Sequence, residues 1–311
     1  MGCSGRSAVL DRRDLYDPEL VSRLVRWGVP GPPTAHPQRG IHRSPRRGAS
    51  LEFSEHTEYA PGDDLRHLDW RIYAKTDRYY VKRYEDERLQ RAVLVVDASG
   101  SMAYGGRTGE VRGSKYHTAA RCAVALAACL LRQGDAVGLV FAGGRGGEGL
   151  PPRTGRAHLG ALVDVLARAE PEGRAGLTRT CEALADRLGR AAAVFLFSDF
   201  LDPEDEALPG PRLMAARGIA PRVVHVLHPD ELDLPFDDVC RFKDLEGPGS
   251  LVVDPEGVRR AYREEMEGFR RGVAGAAERL GAPYAGVVVG HDPAPALGGL
   301  LRRARERPWT S

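Results

Sequence analysis

From residue 92 to residue 305 the sequence alternates between short β-branched runs and longer helical patterns. The runs at 92–96 and 193–197 are almost wholly apolar, which is typical of strands buried on both faces of a sheet. Strands that alternate with helices favour a mostly parallel sheet covered by helices on both faces. The pattern therefore predicts an α/β, Rossmann-like fold, in which ligands bind at the carboxyl ends of the strands.

The same reading places the other elements of this region. Strands are predicted at 137–141, near 150, at 222–227 and at 284–289, and a small hairpin at 241–245 with 250–253. Helices are predicted at 114–132, 158–168, 179–190, 203–217, 255–280 and 294–305. Residues 92–311 are accordingly expected to form one domain.

Two further segments precede this domain. Residues 1–38 combine a helix-like stretch at 17–27 with the run Val29-Pro-Gly-Pro-Pro33, which predicts a linker or wrapping arm because consecutive prolines remove backbone donors. Residues 39–91 form a second block, closed by a strand-like stretch at 78–84. We therefore expect a small β-containing block before the α/β domain.

Charge and hydropathy narrow the function classes. The chain has 45 Lys and Arg residues against 43 Asp and Glu residues, a net charge of +2, so no basic surface for nucleic acid is expected. No apolar run approaches the roughly 18–20 residues that span a bilayer, and the first thirty residues lack the apolar core of a signal peptide. The expected location is the cytoplasm, without a membrane span.

Oxygen-bearing side chains cluster next to the predicted strands. Asp97, Ser99 and Ser101 follow the first strand of the α/β domain, and Asp199 follows the strand at 193–197. A threonine before the helix at 179–190 adds a hydroxyl, and Thr178 and Thr180 both remain candidates. Such an all-oxygen set suits a hard divalent cation, Mg²⁺ first, with Mn²⁺ or Ca²⁺ as alternatives.

The charge of this set indicates what the cation would do. Two carboxylates balance a divalent ion, and the hydroxyls are neutral ligands. A coordination position left to water could then accept a carboxylate from a partner protein. The residues therefore favour a binding site over a catalytic one.

The order D-x-S-x-S, then Thr, then Asp resembles the metal-ion-dependent adhesion site of von Willebrand factor A domains, and the resemblance covers residues 92–290. It implies that Asp97, Ser99, Ser101, Thr178 and Asp199 hold the metal. It also implies a non-enzymatic adaptor or scaffold that binds an acidic side chain of a partner.

The block at 39–91 is similar to a family of bacterial proteins of unknown function in which it precedes a von Willebrand A-like module. The similar stretches are residues 40–48 (GIHRSPRRG), 51–55 (LEFSE), 59–71 (YAPGDDLRHLDWR) and 81–85 (VKRYE). Members are typically encoded beside MoxR-type AAA+ ATPases. The resemblance thus implies such an ATPase and a client protein as partners, in the assembly or maturation of another complex.

Two other function classes remain as alternatives. A metal-dependent phosphatase of the haloacid dehalogenase type would also use acids at the positions of Asp97 and Asp199. It would need a second Asp where Ser99 stands and a lysine in the later loops, but no lysine lies between Lys115 and Lys243. A purely structural module with a vestigial site is the third possibility.

Overall fold

The computed structural model describes residues 10–26, 52–58, 72–73, 78–85, 91–107, 109–188, 192–202 and 208–306. The chain divides into two compact units, one of residues 35–89 and one of residues 1–34 with 90–311. Within the described ranges, no helix is both long and apolar enough to cross a membrane.

The small unit contains an antiparallel pair of strands, β1 (Glu52–Glu58) and β2 (Tyr80–Glu85). The rings of Tyr73 and Tyr79 stack there with centroids 4.5 Å apart. The stretches at 40–48 and 59–71, which carry much of the family resemblance, lie outside the described residues, as does the Pro/Gly run at 29–33.

A six-stranded sheet with the order β10-β7-β6-β3-β4-β5 organises the large unit. Its strands are β3 (Arg91–Asp97), β4 (Ala136–Ala142), β5 (Leu150–Arg153), β6 (Ala192–Ser198), β7 (Ala220–Leu227) and β10 (Tyr284–Val288). All neighbours pair in parallel except β4 with β5. The prediction of an α/β fold with a mostly parallel sheet is confirmed.

Helices cover both faces of this sheet. They are α1 (Arg12–Leu15), α2 (Pro18–Arg26), α3 (Lys115–Arg132), α4 (Arg156–Arg168), α5 (Leu177–Arg187), α6 (Pro209–Ala216), α7 (Pro229–Asp233), α8 (Pro255–Arg279) and α9 (Ala294–Glu306). Along β3, Leu94 and Val96 join a core cluster with α3, whereas Val93 and Val95 join a second cluster on the other face. This alternation follows from the two-residue period of a strand.

The amino-terminal helices pack on the large unit rather than standing apart from it. Leu15, Leu20 and Leu24 are buried in the same core cluster as α3. Arg121 of α3 donates to the Asp17 carboxylate at 2.7 Å. Residues 10–26 therefore pack as part of the large unit.

A hairpin and a long helix follow β7 and lie beside the carboxyl ends of the strands. The hairpin pairs β8 (Cys240–Lys243) with β9 (Ser250–Val253), close to the predicted ranges. Helix α8 buries Val273, Ala276 and Ala277 in its second half, where it packs on the sheet. Its first half faces the hairpin region and borders the site described next.

Candidate metal centre

Parallel pairing of β3 with β6 brings two predicted site segments to one edge of the sheet. Asp97 is the last residue of β3, and Ser198, the last residue of β6, directly precedes Asp199. All three side chains are buried, with Asp97 and Asp199 each 2% exposed. Two candidate acids from distant parts of the sequence are therefore neighbours at the central strands.

Hydrogen bonds fold the loop after β3 around the Asp97 carboxylate. The backbone N–H of Ser99 donates to Asp97 Oδ1 at 2.8 Å, and the Ser198 hydroxyl donates to Asp97 Oδ2 at 2.5 Å. The hydroxyl oxygens of Ser99 and Ser101 lie 3.1 Å apart. The loop thus brings the D-x-S-x-S oxygens into one cluster.

A turn with a strained backbone holds the side chain of Asp199 in place. Phe200 has a φ of 53°, which is uncommon for a bulky residue, and its ring is buried. Its backbone N–H donates to the Ser198 hydroxyl at 2.9 Å, and the N–H of Leu201 donates to Asp199 Oδ1 at 3.2 Å. These contacts hold the carboxylate of Asp199 at the sheet edge.

A buried lysine that the sequence pattern does not indicate lies in the site. Lys115, the first residue of α3, is 0% exposed, and its ammonium donates to Asp199 Oδ2 at 2.6 Å. The same ammonium donates to the Glu231 carboxylate on α7. The absence of a lysine from the later loops therefore does not exclude one from the site, because this lysine comes from an earlier element.

The ionisation of the two aspartates differs because only one of them contacts the ammonium. Burial, and then the neighbouring Asp199 carboxylate, raise the pKa of Asp97 to about 7. Burial also acts on Asp199, but Lys115 outweighs it and holds the pKa of Asp199 below its usual value. Of the two aspartates, Asp97 is therefore the one without an ammonium partner.

The loop before α5 lies against the loop after β3. The N–H of Gly100 donates to the carbonyl of Gly173 at 2.8 Å, and the N–H of Glu172 donates to the carbonyl of Ala98 at 2.9 Å. These bonds bring the segment that leads into α5 next to the D-x-S-x-S residues.

The two candidate threonines are both in the first turn of α5, which begins two residues earlier than predicted. The Thr180 hydroxyl donates to the carbonyl of Gly176 at 3.2 Å, an intrahelical bond. Thr178 is half-buried at the second helical position. The hydroxyl of Thr180 is thus engaged with its own helix.

The donor chemistry fits a hard divalent cation. Asp97, Ser99 and Ser101 supply clustered oxygens, and Asp97 carries a buried charge without an ammonium partner. With all groups ionised, Asp97, Asp199, Glu231 and Lys115 sum to two negative charges. Among the described residues no group of three or more His, Cys, Asp or Glu side chains is arranged to hold a metal, so hydroxyl ligands would be required.

The sequence does not indicate that Lys115 and Glu231 belong to the site, because the local pattern around each residue is that of a helix start. Lys115 follows Ser114, whose hydroxyl accepts from the N–H of His117 at the start of α3. Glu231 completes a capping box with His228 at the start of α7. Neither pattern shows that the two side chains meet at Asp199.

Comparison with known proteins places the chain in a family. The model for "Protein of unknown function DUF58" matches residues 55–271, most of the chain. The chain belongs to the DUF58 family. Uncharacterized proteins of Mycobacterium bovis and Mycobacterium tuberculosis are each 28% identical to it over 284 residues, covering 88% of this chain and 86% of each relative.

Two solved structures are similar to this DUF58 chain in outline. One is BatB, a conserved hypothetical protein of Bacteroides thetaiotaomicron, with a TM-score of 0.46, and the other is an aerotolerance-related membrane protein of Bacteroides fragilis, with a TM-score of 0.45. Each is 17% identical, and the match covers 70% of this chain and 100% of the other.

Proposed function

We propose that this protein is a non-enzymatic, metal-dependent interaction protein. Asp97, Ser99 and Ser101 bind a divalent ion, for which Mg²⁺ is the leading candidate. Thr178 and Asp199 complete the ligand set, as the von Willebrand A resemblance implies. The ion supplies a coordination position for an acidic side chain of a partner protein.

The observation that carries the proposal is the unequal pairing of the two aspartates. Asp199 contacts the Lys115 ammonium, whereas Asp97 is equally buried and accepts only neutral hydrogen bonds from Ser99 and Ser198. A buried carboxylate is costly without a cation. A divalent ion beside Asp97 would remove this cost, and the neighbouring hydroxyls offer it further oxygens.

The arrangement also suits binding better than turnover. Asp199 Oδ2 and the Glu231 carboxylate share the Lys115 ammonium, which holds both acids in place. Ser99 stands where a phosphatase would carry its general acid. The site therefore offers a fixed cation position without a paired nucleophile and acid.

The partner part of the proposal comes from the family resemblance. We infer a MoxR-type AAA+ ATPase, with a client protein whose assembly or maturation it drives. The role of this chain would be an adaptor that presents or senses an acidic side chain.

The test is direct binding of the purified ATPase from the same organism to the immobilised chain. We expect binding in Mg²⁺ that is lost with EDTA and lost in Asp97→Asn, which keeps the size of the side chain. Asp186→Asn is the matched control, because Asp186 is an exposed partner of Arg217 outside the site. Binding by Asp97→Asn equal to that of the wild type, or wild-type binding that EDTA does not change, would overturn the proposal.

One observation favours a second candidate, a phosphatase-like hydrolase that uses Asp97 and Asp199. Lys115 places an ammonium beside the candidate acids, although the later loops carry no lysine. The ammonium contacts Asp199 rather than Asp97, so it does not assist the residue that would be the nucleophile. Hydrolysis of para-nitrophenyl phosphate in Mg²⁺, lost in Asp97→Asn, would support this candidate against the first.

A further inference from the structure

A groove of about 1030 Å³ opens beside the candidate metal centre. One wall is the β8–β9 hairpin, and the other is the first half of α8, including Val258 and Tyr262. Ser101 and Glu231 also line it. The groove therefore reaches the candidate metal centre at Ser101.

The hairpin groove, as we call it, has an apolar lining that is open to solvent. Phe242 and Leu251 pair across the hairpin and both line the groove, and Leu251 is 65% exposed. On α8, Val258 is 41% exposed. Apolar side chains gathered in one open groove are typical of a surface that binds a partner.

The tip of the hairpin brings an internal carboxylate to the metal loop. The backbone N–H of Ser101 donates to Glu246 Oε1 at 3.4 Å. The preceding residue packs closely as well, because a Cβ added to Gly100 would lie 2.0 Å from the carbonyl oxygen of Leu245. The lack of a side chain at Gly100 thus permits Glu246 to lie beside the D-x-S-x-S loop.

Charge along the hairpin groove restricts what can bind there. Six acidic side chains line it against two basic ones, Arg174 and Lys243. Arg174 pairs with Asp202, and Lys115 pairs with Glu231, which leaves four acids, Asp230, Asp244, Glu246 and Glu265, against Lys243. Further acids on a bound segment would be repelled, whereas basic side chains would be attracted. A carboxylate needs a cation to receive it, and at the end next to Ser101 that cation would be the metal ion.

We propose that the hairpin groove binds an apolar segment of a partner protein that carries basic side chains along its length and a single carboxylate at one end. In the bound state this carboxylate replaces Glu246 beside Ser101. Glu246 is then an internal competitor, and its departure accompanies partner binding. The carboxylate part rests on the proposed function, because the metal ion is the cation that would receive it.

The experiment uses peptides selected from a random library displayed on phage, with the full chain as bait in Mg²⁺. Selected peptides are synthesised with a fluorescent label, and their Kd is measured by anisotropy. We expect apolar residues, Arg or Lys, and one Asp or Glu in the shared sequence. Selection of no peptide, or of peptides rich in acids, would overturn the proposal.

Neighbouring residues on opposite faces of β9 supply a matched pair of variants. Leu251→Asp places a charge in the groove and should raise the Kd at least about tenfold, since a Leu that becomes buried on binding contributes strongly to affinity. Val252→Asp changes a side chain that is also exposed, at 58%, but points to the other face, and the Kd should not change. Equal losses in both variants, or in neither, would overturn the proposal.

Glu246→Gln tests the internal competitor. Removing the competing charge should lower the peptide Kd by up to about tenfold, because more of the protein is then ready to bind. An unchanged or higher Kd would overturn the competitor role. Dimers of the chain that Leu251→Asp dissociates would overturn the proposal as well, because a second copy would then be the occupant.

The same experiments distinguish a failure of the proposed metal-dependent function from a failure of the hairpin groove as a binding surface. Peptides that need Leu251 but bind equally in EDTA and to Asp97→Asn would refute the metal-dependent function. They would leave the hairpin groove as the binding surface and remove the carboxylate from the proposal. Mg²⁺ binding that needs Asp97, without any peptide that needs Leu251, would refute only the groove.

Discussion

The ammonium of Lys115 lies 2.6 Å from Asp199 Oδ2, and both residues are almost wholly buried in the protein interior. This ion pair joins the start of α3 to the end of β6, and Glu231 extends it to α7. The pair neutralises one of the two aspartates and leaves the other, Asp97, without a cation.

Lys115→Met should strongly destabilise the protein. Removing one partner of a buried ion pair leaves Asp199 and Glu231 as uncompensated charges, which typically costs about 3 to 5 kcal/mol of unfolding free energy. Arg121→Met on the same helix should cost about 1 kcal/mol or less, because Arg121 and Asp17 are partly exposed. Urea unfolding measures both, and equal losses would contradict the assigned role of Lys115.

Asp97→Asn should stabilise the metal-free protein at high pH. The folded pKa of Asp97 is raised to about 7, above its ordinary value, so the folded state holds a proton that the unfolded state has lost. The unfolding free energy of the wild type should therefore fall as the pH rises from about 4 to about 7. Above that range the loss should stay at its full size. Asparagine carries no charge and can still accept from the N–H of Ser99.

Thermal unfolding in EDTA measures this effect. We expect Asp97→Asn to gain about 1 to 3 kcal/mol at pH 8, and the gain to shrink toward pH 4 and to disappear below about pH 3, where the wild-type carboxyl is neutral in both states. Added Mg²⁺ should stabilise the wild type and not the variant. If Asp97→Asn is less stable than the wild type at pH 8 in EDTA, this result contradicts the claim that the buried Asp97 carboxylate lacks a cation partner.

The two threonines should respond differently to truncation. Thr178→Ala should weaken Mg²⁺ binding by at least about tenfold, because the proposed metal set includes the Thr178 hydroxyl. Thr180→Ala should leave Mg²⁺ affinity unchanged, because the Thr180 hydroxyl bonds to the carbonyl of Gly176. Calorimetric titration of both variants decides between them, and the reverse pattern would assign the role to Thr180.

Gly100→Ala should release the tip of the β8–β9 hairpin. The added Cβ would lie 2.0 Å from the carbonyl oxygen of Leu245, although the backbone φ of −59° at Gly100 suits any residue. The clash should raise amide hydrogen exchange across residues 240–253. Gly160→Ala on α4 is the control, because nothing lies within 4 Å of its added Cβ.

Unchanged exchange at 240–253 in Gly100→Ala would show that the tip does not depend on this close approach. The control should show slightly slower exchange in α4, since alanine favours a helix over glycine by up to about 1 kcal/mol.

Much of the fold follows from local patterns in the sequence. The apolar runs at β3 and β6 and the helical periodicity of α3 and α8 predict a parallel sheet covered by helices, and parallel pairing places Asp97 near Asp199. The contacts of Lys115, Glu231 and Glu246 were not predicted. They depend on where a helix start, a five-residue helix and a hairpin tip lie in three dimensions, and no periodicity encodes that.

The most direct measurement of the central claim is calorimetric titration of Mg²⁺ into the wild type and Asp97→Asn at pH 8. The account predicts saturable binding of one ion by the wild type and no binding by the variant, with both proteins folded. Absence of binding by the wild type, or equal binding by the two proteins, would contradict the assignment of a metal centre at Asp97.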